Sequence, residues 1–445
     1  MKRIYLILAA AVLLAGGKVL ADGTNADFTK PAWLTDCSLG VKESYDDNVF
    51  LSGVDANYLP ATYVVPPGSV AALKDRSSWI TTFSPKVGVN LAPLIGATNL
   101  SVLSLAYAPD FVLYHDQPSE SYNAHRLLAV VKARTEPVSF SADNSFVYID
   151  GSDMGPVYPG ALYSAFATTA DRERRKQIQE RANVSVQLEQ GRWFVRPVAS
   201  LLFYNLMTAQ LDVPGYQNYA DRYDVNGGVD VGCKIFPQAA LTLGYRYGSQ
   251  YQQQYAFSPY SSSSDYQRVL LGVEGSLCSW LSVKIQGGPD FRNYAGNTAT
   301  HTTPVNDRHP VKYYGEGSAT ATLAPENTLT LKYKMWQWVS GSGKVPYYEG
   351  AYELVWHTKL TEKLGFDLGG KIVDWDFSSG NLPTCKRNDL QYSANAGLSY
   401  AVNARISINL GCSLDWGYNE QGGLINPKNR EFDRQMITLG TQWKF

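Results

Sequence analysis

Cysteine is scarce. Cys37, Cys233, Cys278, Cys385 and Cys412 are five among 445 residues, at wide, irregular spacing with no C-x-x-C pair. An odd count so spaced excludes a disulfide framework, and the thiols read as small apolar residues, most of them on strand faces. Histidine is as rare: His115, His125, His301, His309 and His357. No H-E-x-x-H or G-x-S-x-G motif occurs, and His301 and His309 stand at a spacing that fits no metal motif. No nucleophile with a positioned base is legible, so neither a catalytic residue nor a cofactor or metal is expected. Only His357 is expected at mid-strand, facing the lumen. A net charge of −1 offers no basic excess for nucleic acid. After Ala21 no apolar run is long enough to cross a membrane as a helix.

What is present begins with an export signal. Lys2 and Arg3 precede an apolar run from Ile4 to Ala15, and Val19-Leu20-Ala21 supplies small residues for cleavage before Asp22. Residues 1–21 are therefore expected to be a signal peptide, and 22–36 a short periplasmic segment. That segment is too short for a receptor plug or for periplasmic repeats. The remainder, 37–445, reads as one domain rich in Tyr and Gly, with 30 and 38 of them.

From Cys37 onward one plan repeats: a strand of about a dozen residues, a long polar loop, a returning strand and a very short turn. Short turns are expected at Pro93 to Thr98, Glu136-Pro137, Gln190-Gly191, Pro237-Gln238, Ser279-Trp280, Pro325 to Asn327, Thr361-Glu362 and Asn403-Ala404. Strands after them open alike, as in Leu241-Thr-Leu-Gly-Tyr and Leu329-Thr-Leu-Lys-Tyr. Within them apolar and polar residues alternate: Ile406, Ile408, Leu410 and Leu414 share one face, Arg405, Ser407, Asn409 and Asp415 the other. Eight short turns and nine long loops predict an all-β, transmembrane antiparallel up-and-down barrel of about 18 strands, with 16 left open. Its short turns would be periplasmic and its long loops extracellular. The last stretch, Phe432 to Phe445, would close the barrel with Ile437, Leu439, Trp443 and Phe445 toward lipid. The expected location is the outer membrane of a Gram-negative envelope.

Near the first strand, Val41-Lys-Glu-Ser-Tyr-Asp-Asp-Asn-Val-Phe50 resembles the Y-x-D/N-N-V/I opening of β-barrel porins associated with exopolysaccharide secretion. The resemblance implies an outer-membrane pore accompanying polysaccharide export, with export proteins and a polysaccharide as partners and no catalytic residue. A general or anion-preferring diffusion porin, and a structural or adhesive barrel, remain the alternatives. Trp443 and the terminal Phe445 resemble the signal that barrel assembly machinery reads. Oligomeric state stays open.

In a barrel of this width the polar face is the functional surface. The candidates for it are Arg126, Lys132, Arg134, Arg181, Arg246, Lys284, Arg292, Lys332, Lys334, Lys371, Arg405 and Arg434, with Asp290, Asp367, Glu349, Glu353 and Asp415 among the acids. More basic than acidic, such a wall would favour anions or an acidic polymer; mutual neutralisation is the alternative. The loop 150–174 ends in the charged run Asp171 to Lys176 and reads as a solvated loop, with inward folding as the alternative. Trp336 and Trp338 read as rim girdle residues, with stacking rungs for sugar rings as the alternative.

Overall fold

The computed structural model describes residues 31–49, 51, 76–151, 176–207, 220–253, 263–294, 308–339, 346–377, 387–421 and 431–445. The expected signal peptide lies outside them, as does the loop at 150–174 beyond Gly151. Nineteen strands follow in chain order: β1 (Leu34–Asp46), β2 (Ser78–Asn90), β3 (Leu100–Tyr107), β4 (Asp110–Tyr114), β5 (Tyr122–Thr135), β6 (Val138–Asp150), β7 (Gln177–Gln190), β8 (Trp193–Asn205), β9 (Arg222–Phe236) and β10 (Ala239–Gln252). The series continues with β11 (Ser264–Cys278), β12 (Leu281–Tyr294), β13 (Val311–Ala324), β14 (Asn327–Trp338), β15 (Tyr347–Lys359), β16 (Leu364–Asp376), β17 (Arg387–Ala401), β18 (Ile406–Gln421) and β19 (Phe432–Lys444).

Neighbours pair antiparallel throughout, and β1 pairs with β19, so the sheet closes on itself. β3 and β4 are two halves of one stave, since β2 and β5 each pair with both. The molecule is therefore a closed barrel of 18 staves. The split falls at Ala108-Pro109, where proline has no N–H for the ladder. All eight short turns lie where the sequence places them, at one end of the barrel. The first is a single helical turn, Ala92–Ile95, ended by Gly96 at φ 68°. Glu136-Pro137, Pro237-Gln238 and Ser279-Trp280 are two-residue connections.

The alternation explains which side faces what. On β10, Leu241, Leu243, Tyr245, Tyr247 and Tyr251 are exposed, while Thr242, Gly244, Arg246, Gly248, Gln250 and Gln252 between them are buried. Leu271, opposite Leu243 on β11, is 67% exposed, whereas Arg246 is 8% exposed. Apolar side chains outward and charges inward is the pattern of a wall with lipid outside. Strand parity places the four described free cysteines, Cys37, Cys233, Cys278 and Cys412, in the outward series. At the middle of β11, Leu271→Arg should lower unfolding free energy in lipid by about 2–4 kcal/mol. Urea unfolding in vesicles measures it, and a change below 1 kcal/mol would place that face out of the bilayer.

The seam carries its own clasp. Asp46, fully buried at the end of β1, accepts Nε and Nη2 of Arg434 at 3.1 and 2.7 Å. Asp47 donates its N–H to the Gln435 carbonyl, and its Oδ1 accepts the Gln435 N–H at 2.7 Å. Asn48 gives Nδ2–H to the Asp433 carbonyl at 2.8 Å, and Val49 packs on Ile80, Val112 and Tyr114. At the far end the Phe445 N–H donates to the Cys37 carbonyl, leaving its ring exposed. Asp46→Ala strands a guanidinium whose other carboxylate, Asp415, is 3.7 Å away. The expected loss is about 3 kcal/mol. It should appear as a lower temperature for the folded-to-unfolded band shift in electrophoresis; an unchanged shift removes the clasp.

Candidate functional site in the lumen

The inward face is not evenly lined. Across the arc β8–β14 it is packed with charge pairs and rings. Arg196 on β8 binds Glu274 on β11 with Nη1 and Nη2 at 2.7 and 2.9 Å, and Asp230 on β9 with Nε at 3.1 Å. Arg246 takes the other oxygen of Asp230 at 2.7 Å. Gly244 makes room: a Cβ there would lie 2.5 Å from Asp230 Oδ1. Asp224 accepts Gln250 Nε2 and the Tyr266 hydroxyl, each at 2.7 Å. Arg292 gives Nε and Nη2 to Asp290 Oδ2 at 3.1 and 2.7 Å, and Nη1 to Gln250 at 2.7 Å. Such groups tolerate burial because each meets an opposite charge or a directed donor.

The tip of β14 crosses the lumen onto this arc. Its ladder with β13 ends at Met335, while its ladder with β15 continues to Trp338. Beyond that point the Gln337 carbonyl accepts Gln250 Nε2 at 3.0 Å and Arg292 Nη2 at 3.2 Å. The Val339 carbonyl accepts Arg222 Nη1 at 2.9 Å, and that guanidinium lies over Tyr204 and Trp338. Trp336 and Trp338 stack with centroids 4.5 Å apart inside a buried cluster with Tyr314, Tyr347, Val373, Trp375 and Phe377. They are neither rim residues nor free rungs, because each other's rings and Lys334 Nζ, 3.7 Å above Trp336, cover them. Glu349 accepts both Trp336 Nε1 and Trp375 Nε1.

Beneath the cluster lies a cavity of about 500 Å³, lined from β6 across to β14. Its acids are already engaged: Asp230 and Glu274 as above, Asp224 by Gln250 and Tyr266, Asp143 by Asn183 and Glu316 by Gln286. Its cations are less so. Among the described residues Arg181 and Lys284 have no ion pair, and neither do Lys132 and Lys371 elsewhere on the inward face.

The other candidates fall as follows. Strand register sets Arg126, Lys132, Arg134, Arg181, Arg246, Lys284, Asp290, Arg292, Lys332, Lys334, Lys371, Asp415 and Arg434 in the inward series. Arg126 pairs with Asp110, Arg134 with Glu136 at 3.5 Å and Lys332 with Glu353 at 3.1 Å. Asp415 accepts Ser393 Oγ. His357 holds Asp367 at 2.7 Å, close to the short-turn end of β15 rather than at its middle. Arg405 is the exception. It sits in the turn before β18, where the Asn403 side chain accepts the N–H groups of Arg405 and Ile406. Trp443 stands in the outward series of β19, opposite Leu39 and Ile406. Arg196, Arg222, Arg268 and Tyr266, central to the packed arc, were not singled out from sequence. The alternation of Arg268 with Val269 and Leu271 was the signal available.

The chain matches no protein-family model and no curated protein. Among solved structures it is similar to OccK2 (OpdF) of Pseudomonas aeruginosa, solved in complex with glucuronate, at 11% identity over 93% of this chain and 100% of that one, with a TM-score of 0.46. OccK1 (OpdK) of the same organism gives 10% identity, 93% and 100% coverage and a TM-score of 0.44. The siderophore receptor PirA of Pseudomonas aeruginosa gives 9%, 92% and 80%, and 0.37. None of these names carries an exopolysaccharide association. The opening stretch that resembles the secretion porins is engaged at the seam: Tyr45 packs on Trp79, and Asp46, Asp47 and Asn48 hold the last strand.

Arg222→Ala removes a hydrogen bond and two ring contacts from the β14 tip, about 2–3 kcal/mol of local stability. Single-channel conductance should rise, with faster amide exchange in β14. Unchanged conductance alongside faster exchange means the tip does not limit flow.

Proposed function

We propose that the protein is an outer-membrane channel for small solutes with a preference for anions. The observation that carries this is the charge around the lumen cavity: six cations, Arg181 and Lys284 among them without an ion pair, line it against five carboxylates, each of which already accepts a neighbouring donor. The cavity therefore carries a small excess of fixed positive charge, and fixed charge of one sign selects ions by sign. The closed ladder and apolar exterior support a bilayer-spanning wall. Outer-membrane insertion through barrel assembly machinery would use the terminal strand, with Trp443 and the exposed Phe445 as its aromatic signal. Export of a polysaccharide finds no supporting residue, because the stretch that suggested it is occupied at the seam.

Planar-bilayer recording across a KCl gradient tests the reading. The reversal potential should have the sign of anion selectivity, and replacing Arg181, Lys284 and Lys371 together by Gln should move it toward zero. A cation-selective reversal potential in the unmodified barrel overturns it.

A further inference from the structure

The inward glycines fall into two groups. On the packed arc a side chain has nowhere to go: a Cβ at Gly232 would overlap the Phe194 ring, and one at Gly272 would lie 2.5 Å from Thr242 Oγ1. On the wall beside the β1–β19 seam the space is empty. Chain neighbours apart, a Cβ at Gly397 on β17 would meet nothing nearer than 3.8 Å, and one at Gly411 on β18 nothing nearer than 3.9 Å. At Gly40 on β1 the nearest atom would be Ser84 Cβ at 3.5 Å, an ordinary contact. Gly397 and Gly411 are direct partners across the β17–β18 ladder, and their row runs on to Asp367 on one side and Thr438 on the other. The row beside it carries Ser399, Asn409 and Lys42. These residues line a second cavity of about 480 Å³, spanning β1, β2 and β16–β19.

Glycine weakens a strand interior, because it has more freedom to lose and no side chain to pack. On the arc a neighbour takes up the room that glycine leaves; at Gly397 and Gly411 none does. The ring cluster around the β14 tip draws, among the described residues, on β8, β11 and β13–β16, and on none of β17–β19 or β1. The constriction therefore leans on one side of the barrel and leaves the seam side clear. Of the charged groups there, Asp110 is held by Arg126 and Ser84 Oγ, Asp367 by His357 and Lys86 by Asp36. Lys42 is exposed and, among the described residues, has no ion pair. We propose that solutes cross the barrel along this seam-side trough, that Gly397 and Gly411 keep its bore open, and that Lys42 is the cation a passing small anion meets there. The proposal rests on the anion-channel reading and adds the path and the residues that set its width. Hydroxyl and amide groups at Ser399, Asn409 and Thr438 can each donate and accept, so they replace water around the other polar atoms of such a solute.

Single-channel recording of the purified barrel in planar bilayers with KCl tests it. Gly397→Trp and Gly411→Trp should each lower conductance about twofold or more, since pore width limits flow. Ser141→Trp, on the wall of the packed-arc cavity, should change it little. To separate narrowing from misfolding, Gly397→Cys is derivatised with a bulky, negatively charged methanethiosulfonate only after the barrel conducts, with the unmodified chain as baseline. Its conductance should then drop in a single step. Lys42→Gln should move the reversal potential across a KCl gradient toward zero, and an unchanged potential removes Lys42 from the path. Conductance unaffected by both tryptophans and by the thiol reagent, or lowered by Ser141→Trp alone, overturns the seam-side path while the channel reading stands. A wild-type barrel that passes no current, or is cation-selective, removes that reading beneath it.

Discussion

Hydrocarbon offers no partner to a peptide N–H or C=O, so every strand in it must find two neighbours. For a chain threaded back and forth, that requirement falls hardest on the first and last strands, which are synthesised farthest apart. Here β1 and β19 meet along the ladder from Ser38 opposite Lys444 to Asp46 opposite Met436. The side chains around Asp46 add an ionic and hydrogen-bonded lock at one end of that seam. Everything else in the molecule presupposes this closure. An open sheet would have neither an inside to line nor an outside to grease.

Closure then divides each strand into two populations under different physical demands. Outward residues need only be apolar. Inward residues must find partners, and on the arc β8–β14 they do so in three-strand groups such as Arg196, Asp230 and Glu274. Glycines at Gly244 and Gly248 let those long side chains lie flat against the wall; a Cβ at Gly248 would meet Tyr266 Cζ at 2.5 Å. The cavity below the ring cluster is where this packing stops and unpaired cations begin. On the anion-channel proposal, ion selection and structural stability draw on one set of residues, and their contributions separate only where a charge has no partner.

The fold was legible because its punctuation is local. Pro137, Pro237, Pro325 and Gly191 stop strands wherever they stand, and alternation such as Leu241-Thr-Leu-Gly-Tyr states which face is which. Arg405 was misassigned for the same reason: the alternation Arg405-Ile406-Ser407 runs unbroken into a turn that Asn403 makes through its side chain. Pairing was not legible. Arg434 and Asp46 are 388 residues apart, and Arg196 meets Glu274 only once the registers of β8 to β11 are all set. Trp336 and Trp338 show the limit of parity. It tells which way a side chain points from the wall, not that the strand leaves the wall. Gln337, in the lipid-facing series of β14, is only 5% exposed because its backbone has moved inward.

That departure has a mechanical meaning. The constriction is made from wall strands, still zipped to β15 on one side and to β13 up to Met335 on the other. Behind it the gap is bridged, as the Tyr348 hydroxyl donates to the Tyr313 carbonyl from β15 to β13, past β14. Among the described residues this narrowing has no hinge of its own. Widening it means breaking ladder bonds and ring contacts together, so thermal motion at ordinary temperatures will make it breathe by side-chain excursions and not swing as a door.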